Sequence, residues 1–307
     1  WRIMKKYVKN LLFVFFLCFA FSSCKTIGVI AAVGGIVGEI AGIEGSVGMA
    51  ESIMTSAESI EKATEDISPE QEYYIGRAVA AQILSKYELA NEPELENYLN
   101  QICGALVLNS ERPNLYRGYS VGIIDTDEIN AFATSGGHIL VSRGLLNCVT
   151  SEDALAAVLA HEIAHIQLEH SLKAIKTSRI TDAITKTTFA TMSVLSEGEF
   201  QEFTDVFGDA VDEIVAEMVD SGYSKSQEYE ADETALEIMA ATGYNPLAMN
   251  DMLNVLKQNQ KSKSGFSVTH PSPEDRLKNL QDQYEHYDIK DTSEYRIKRF
   301  NETMKKF

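Results

Sequence analysis

His161-Glu162-Ile163-Ala164-His165 sets two imidazoles one helical turn apart with a carboxylate between them. On a helix, residues four apart share a face, so both rings can grip one metal ion. Glu162 lies about 100° round from His161, within reach of a water on that metal but badly placed to ligate it. The spacing points to metal-assisted hydrolysis, with zinc as the ion and Glu162 as the general base. Such a pentapeptide arises by chance in roughly one chain of this length in a hundred, so its surroundings must carry the reading.

Those surroundings read as a buried helix. Thr150-Ser151-Glu152-Asp153 supplies a hydroxyl cap and first-turn carboxylates, and Ala154 to Ala160 is an unbroken apolar run. Two histidines and a glutamate in such a helix are costly to bury unpaired, and a metal ion removes that cost. The spacing that adds a third histidine six residues on fails, because Leu168 and Ser171 stand where glycine and histidine would be needed. His170 falls half a turn from His161 if the helix continues, and is read as a helix-end or surface residue.

A better third ligand lies downstream. Ser224 and Gln227 form a capping box, Gly243 ends the helix they open, and Asn245-Pro246 starts another. Glu228 and Asp232 are four apart and share a face with Ala231, Ala235, Leu236 and Met239. Two carboxylates on an apolar stripe need positive partners. Glu228 on the metal and Asp232 holding the outer nitrogen of a ligand histidine satisfy both. Glu230 and Glu233 fall on the solvated side.

With these residues in place, the chain resembles the CAAX-prenyl-endopeptidase-like zinc metallopeptidases of the gluzincin group, the HtpX- and Oma-related family, in a bacterial lipoprotein branch. The resemblance runs from about Ser68 to about Leu280. Its further motifs are Asn130-Ala131-Phe132 followed by Gly136-Gly137 and the strand His138-Ile139-Leu140-Val141, the Glu228/Asp232 element, and His270-Pro271 with Arg276. It implies one zinc ion per chain on His161, His165 and Glu228, Asp232 behind them, and Glu162 activating a zinc-bound water. It further implies that His138 to Val141 is an active-site edge strand, with Asn130, Gly137, His138, Ile139 and Leu140 meeting an extended substrate. His270 either steadies the transition state or occupies the open metal position, and Arg276 pairs with acids near the site. The activity implied is endopeptidase cleavage of misfolded or misassembled cell-envelope proteins. The alternative is a chaperone-like or scaffold lipoprotein whose metal is structural and which cleaves little. An intact Glu162 favours the peptidase, since a structural site needs no base.

The N-terminus addresses the chain to the envelope. Lys5, Lys6 and Lys9 precede an uncharged run, Leu11 to Phe21, and then Ser22-Ser23-Cys24, which reads as a lipoprotein export signal over 1–23 with lipidation at Cys24. The run is short for a bilayer span. Trp1-Arg2-Ile3 is expected to lie ahead of the true start at Met4. Lys25 does not resemble an inner-membrane retention signal, so the outer membrane facing the periplasm is expected. Cys103 and Cys148 are then the only pair free for a disulfide, and nothing in their spacing brings them together.

The chain carries a formal −18, and losing the four basic residues Arg2, Lys5, Lys6 and Lys9 with the signal takes it to −22. That balance excludes nucleic acid as a partner. From 24 to 67 runs a Gly/Ala-rich stretch with Gly34, Gly38 and Gly42 every fourth residue, read as a membrane-proximal helix or tether.

The fold class expected is α+β, a mainly helical metallopeptidase domain over 68–284 with a small sheet. Helices are expected from Ser68-Pro69 to about Tyr87 and from Pro93 through Val107, with a strand through Tyr119, Val121 and Ile123. A helical insertion over 171–222 is a possible lid, and 285–307 reads as a polar, then basic, mobile tail.

Overall fold

Ser68 opens the first helix, α1 (Pro69–Leu84), through a reciprocal cap: Gln71 N–H donates to its hydroxyl at 3.2 Å, and its own N–H donates to Gln71 Oε1 at 2.8 Å. The computed structural model describes residues 67–176, 208, 211–212, 214–259, 270, 273–287, 289 and 293–307. The expected export signal, Cys24 and the glycine-rich stretch up to Asp66 lie outside these residues, as does most of the expected lid.

Pro93 starts α2 (Pro93–Val107), which buries Leu95, Leu99, Ile102 and Leu106 along one stripe. Three strands follow: β1 (Ser120–Ile124), β2 (Ala131–Thr134) and β3 (His138–Ser142). Their alternation divides the apolar residues between two cores. Val121, Ile123, Ala133, Ile139 and Val141 join the larger core, and Ile124, Phe132 and Leu140 join the smaller one beneath α1. Between β2 and β3 the chain turns through Gly136 (φ 78°) and Gly137 (φ 97°). A Cβ at Gly136 would stand 2.6 Å from Tyr73 Cα, so only glycine lets this turn rest on α1.

The strand order is β1-β3-β2, with β1 parallel and β2 antiparallel to β3. This corrects the expectation for His138 to Val141. Val121 faces Ile139 on one side and Phe132 faces Leu140 on the other, so β3 is the central strand and cannot accept a further one. Among the described strands the edge next to the zinc-motif helix is β2, which packs directly on that helix.

After the short α3 (Arg143–Leu146) comes the motif helix, α4 (Glu152–Gln167), capped by Ser151, whose hydroxyl accepts from Ala154 N–H at 3.1 Å. All its residues from Glu152 to Ile166 are buried, between β2 on one side and α2, α6 (Lys225–Thr242) and α7 (Ala248–Asn259) on the others. A helix covered on every side needs no polar face, which is why its sequence is alanine-rich rather than amphipathic. Beyond it lie α5 (His170–Lys176) and a π-helical turn (Ala216–Ser221), two of the described parts of the insertion. α6 carries the expected Ser224/Gln227 box and ends at Gly243 with φ 85°. α8 (Pro273–Leu280) and a 3-10 turn (Gln283–His286) follow.

The segment read as a mobile tail is instead ordered by helix α9 (Glu294–Met304), which packs on α2 and α4. Its polarity misled because the partners are themselves charged and buried. Arg299 forks onto Glu152, donating from Nε at 2.7 Å and from a terminal nitrogen to the other oxygen, while Arg296 pairs with Asp153 at 3.2 Å. Tyr98 and Tyr244 hydroxyls complete the shell of Glu152 at 2.7 and 3.2 Å. The basic end of the chain thus neutralises the acidic first turn of the motif helix. Among the described residues no helix is long and apolar enough to cross a membrane. Cys103 and Cys148 are free thiols, the first buried and the second half-buried.

Candidate metal centre

α4 and α6 lie side by side, and their contact brings the two halves of the site together. His161 and His165, one turn apart on α4, aim their Nε2 atoms at a common point and approach to 3.1 Å. From α6, Glu228 offers Oε2 at 3.6 Å from His161 Nε2 and Oε1 at 3.6 Å from His165 Nε2. A fourth donor comes from outside both helices: His270 Nδ1 stands 2.9 Å from Glu228 Oε1 and 3.3 Å from His161 Nε2. All four side chains are buried, and one donor atom from each falls within 4.8 Å of the others.

This set fits zinc on two grounds. Ligand bonds of 2.0–2.1 Å in a tetrahedron imply donor separations of roughly 3.3 Å, and the separations given above scatter around that value. Four buried donors of the nitrogen and oxygen type that all face one another also need a cation between them. Beside them Glu162 is buried, and its Oε1 has no hydrogen-bond partner among the described residues and lies 3.8 Å from His270 Nε2. Burial raises its carboxyl above the ordinary glutamate range, although His270, His161 and Arg276 pull the other way.

Behind the donors the expected support is present. His161 Nδ1 lies 3.0 Å from Asp232 Oδ1, so the carboxylate one turn beyond Glu228 holds the outer nitrogen of a ligand histidine. Arg276, fully buried on α8, donates to both Asp232 oxygens at 2.7 and 2.5 Å and brings its third nitrogen to 2.9 Å from Glu228 Oε2. Burial alone pushes the Asp232 carboxyl up, but this guanidinium and His161 outweigh it and hold the group down at about 2. Glu228 is likewise held below its ordinary range: burial raises it, while His270 and Arg276 lower it further. His165 is driven well below the imidazole range by burial and by the neighbouring histidines and arginine, as a neutral ligand requires.

Two residues here escaped the sequence. His170, read as a helix-end or surface residue on the premise of a continuous helix, does stand at a helix end, the first residue of α5, but it is buried and its Nδ1 lies 2.8 Å from His165 Nδ1. The premise fails at Glu169, whose φ of 55° breaks α4 after Leu168 and turns the chain back into α5. Tyr223, at the foot of α6, stacks on the His165 ring at 4.2 Å and 20°. No local pattern marks it. Glu230 is exposed as expected, at 55%, and lies 3.4 Å from His170 Nε2. Glu233 is drawn in by Asn279 and Gln283, whose amides donate to it at 3.1 and 3.4 Å.

The residues expected to meet substrate divide. Asn130 turns Oδ1 onto Ala131 N–H at 2.9 Å, and its carbonyl accepts from Ser142 N–H at 2.9 Å. Gly137 makes the turn into β3, where Ile139 and Leu140 are buried core residues of the two clusters. His138 is half-buried at the near end of β3, with Nδ1 3.3 Å from Ser120 Oγ and the Tyr73 ring at 5.4 Å. None of these five belongs to the four-donor group.

Comparison with known proteins places this geometry in context. A family model described as Peptidase family M48 matches residues 93–284, which span α2 to the turn after α8. The beta-barrel assembly-enhancing protease of Yersinia pestis is 26% identical over 218 residues, 69% of this chain and 43% of that protein. Its counterpart in Escherichia coli (strain K12) is 27% identical over 214 residues, with the same coverage. The mitochondrial metalloendopeptidase OMA1 of Schizosaccharomyces pombe is 26% identical over 223 residues, 71% of this chain and 62% of that protein. The chain thus spans less than half the length of the two bacterial relatives.

Proposed function

The chain belongs to peptidase family M48, and from that premise we propose that it is a zinc-dependent endopeptidase acting on misassembled proteins of the cell envelope. The observation that carries this reading is the buried Glu162 carboxylate, with an oxygen unpartnered among the described residues, poised beside a four-donor set that fits zinc. A purely structural metal site has no use for such a group.

When bound, zinc supplies Lewis acidity that polarises the scissile carbonyl and acidifies the attacking water. His161, His165 and Glu228 hold it. Glu162 takes the water proton and returns it to the leaving amine. Asp232 keeps His161 in the tautomer that presents Nε2, and Arg276 balances the charge of Asp232 and Glu228.

Since β3 is the central strand, β2 is the strand assigned to pair substrate. Ser142 N–H donates to Asn130 C=O, so in the alternating antiparallel ladder Phe132 and Thr134 bond to β3 while Ala131 and Ala133 turn outwards. Asn130 already occupies Ala131 N–H, so pairing an extended segment would fall to the Ala131 carbonyl and the main chain of Ala133 and would require uncovering residues that are buried in this structure. Main-chain pairing of this kind selects unfolded chains or loops over particular side chains. The names of the bacterial relatives, the N-terminal sequence read as an export signal and Cys24 together support envelope substrates and a lipid anchor at the outer membrane.

A second reading has one observation in its favour. His270 fills the fourth corner, and a tetrahedral site with four protein ligands is closed to water. In that reading the protein is a metal-containing, chaperone-like scaffold that cleaves little. Incubation of the purified, zinc-loaded protein with unfolded casein separates the two. The endopeptidase reading expects cleavage that a chelator stops and that Glu162→Gln lowers by about 10²–10⁴-fold with zinc content unchanged, whereas Glu228→Ala loses zinc. Absent cleavage, or cleavage indifferent to both the chelator and Glu162→Gln, rejects it.

A further inference from the structure

The outer nitrogens of the two ligand histidines are held in different ways. His161 has Asp232, a carboxylate on the helix that also supplies Glu228. Among the described residues His165 faces no carboxylate with Nδ1. It faces a third buried imidazole, His170, at 2.8 Å, and the far nitrogen of that imidazole lies 3.4 Å from the Glu230 carboxylate.

We propose that His170 is a positioning residue for the metal centre: it accepts the Nδ1 proton of His165 and, through Glu230, locks that ligand in the tautomer and orientation that present Nε2 to zinc. The inference rests on the metal-centre reading above and follows from donor and acceptor bookkeeping. A ligand histidine gives the lone pair of Nε2 to the ion, so its remaining proton sits on Nδ1 and must be donated. At 2.8 Å the Nδ1 of His170 has to be the acceptor, since two N–H groups cannot face each other at that distance. A neutral imidazole that accepts at Nδ1 carries its proton on Nε2, and that nitrogen points to Glu230, which can only accept. Every proton along the line is therefore assigned once the metal is bound. The Tyr223 ring, stacked at 4.2 Å, closes the remaining freedom of the His165 ring about its own plane.

The backbone is shaped for the same end. A continued α4 would carry residue 170 about 140° round from His165 and out of its reach. Glu169 instead adopts φ 55°, a left-handed conformation that a side chain other than glycine, asparagine or aspartate rarely takes, and the next residue is the histidine. Arg112 anchors the turn from its other side, donating to Ile166 C=O at 3.2 Å and reaching the Glu169 carboxylate at 3.5 Å.

The test is the zinc dissociation constant of the full chain, measured by competition with a chromophoric chelator for wild type, His170→Ala and His170→Asn. Asparagine places a carbonyl oxygen near the position of Nδ1 and so keeps the acceptor. The alanine variant is expected to bind zinc about 10–100-fold more weakly, with most of that loss recovered by asparagine. In the zinc-loaded wild type a slowly exchanging imidazole N–H resonance from His165 should be seen by proton NMR, and it should vanish in His170→Ala. Equal affinities for all three proteins, or equal weakening by alanine and asparagine, overturn the proposal, because packing alone would not distinguish the two variants. A wild type that binds no zinc defeats the metal-centre reading instead, so the two failures are separable. Denaturation of each variant in chelator shows whether alanine has merely unfolded the site.

Discussion

Arg276 offers the sharpest test of how this site is held together, because its cost should depend on whether zinc is present. The side chain is fully buried, with two charge-assisted hydrogen bonds to Asp232 and an ion pair to Glu228. In Arg276→Met the volume is nearly kept and both carboxylates lose their cation. Two hydrogen bonds to a charged group are worth about 1.5–3 kcal/mol each, and breaking a buried ion pair costs about 3–5 kcal/mol, so a loss of about 4 kcal/mol is expected in the metal-free protein. Counting formal charges, Glu162, Glu228 and Asp232 against Arg276 leave the metal-free site at −2, and the substitution takes it to −3. A divalent ion brings the wild-type site to zero and the variant only to −1, which softens the penalty to about 2 kcal/mol at the effective dielectric of a protein interior. The assay is urea denaturation followed by circular dichroism, once in excess zinc and once in chelator, with Arg276→Lys as a charge-keeping control. A metal-free loss below about 1 kcal/mol, or a loss that zinc leaves unchanged, would refute the claim that Arg276 and the ion share the work of neutralising these acids.

Three further outcomes follow from individual side chains. His270→Ala should raise the rate of casein cleavage, since it clears the fourth corner of the donor set; a fall in rate would instead make His270 a helper in the reaction. Arg299→Ala should cost about 2–3 kcal/mol by leaving the fully buried Glu152 with only two tyrosine hydroxyls, a value discounted because Arg299 is itself 39% exposed; thermal unfolding of the variant reads it directly. Burial pushes the Cys103 thiol up to about 12 from 9, so the folded state keeps its proton where the unfolded chain has lost it. The stability tied to that thiol is intact below pH 9 and falls by about 1.4 kcal/mol per pH unit from 9 towards 12. Urea titrations at pH 8, 9.5 and 10.5 on wild type and Cys103→Ala isolate the slope, and native Cys103 should resist thiol reagents at pH 8.

How far the sequence reached is clearest where the information was local. The caps at Ser68, Ser151 and Ser224, the start of α2 at Pro93 and the stop at Gly243 rest on contacts within four residues of chain, and all are present. The same holds for the pairings that helical periodicity dictates: His161 with His165, and Glu228 with Asp232 on the apolar face of their helix. Arg276 was expected only through the family resemblance, as a partner of acids near the site, and it pairs with Asp232.

What escaped depends on contacts between distant segments or on a single backbone torsion. Strand order is not written in alternation, so β3 read as an edge until β1 and β2 were seen on its two sides. The basic end of the chain looked solvated because its partners, Glu152 and Asp153, lie some 140 residues earlier. His170 was misplaced by one left-handed residue, since helical spacing has meaning only while the helix continues. By itself, then, the sequence determined that His161, His165 and Glu228 could hold a metal and that Glu162 could act beside it, because those facts are periodic within each of two helices. Only the tertiary structure decided that His270 comes within 4.8 Å of the other three donors, that β2 and not β3 packs as an edge on the motif helix, and that an imidazole stands behind His165. Each of these is a meeting of segments that share no local pattern, brought about by burial of the surfaces between them.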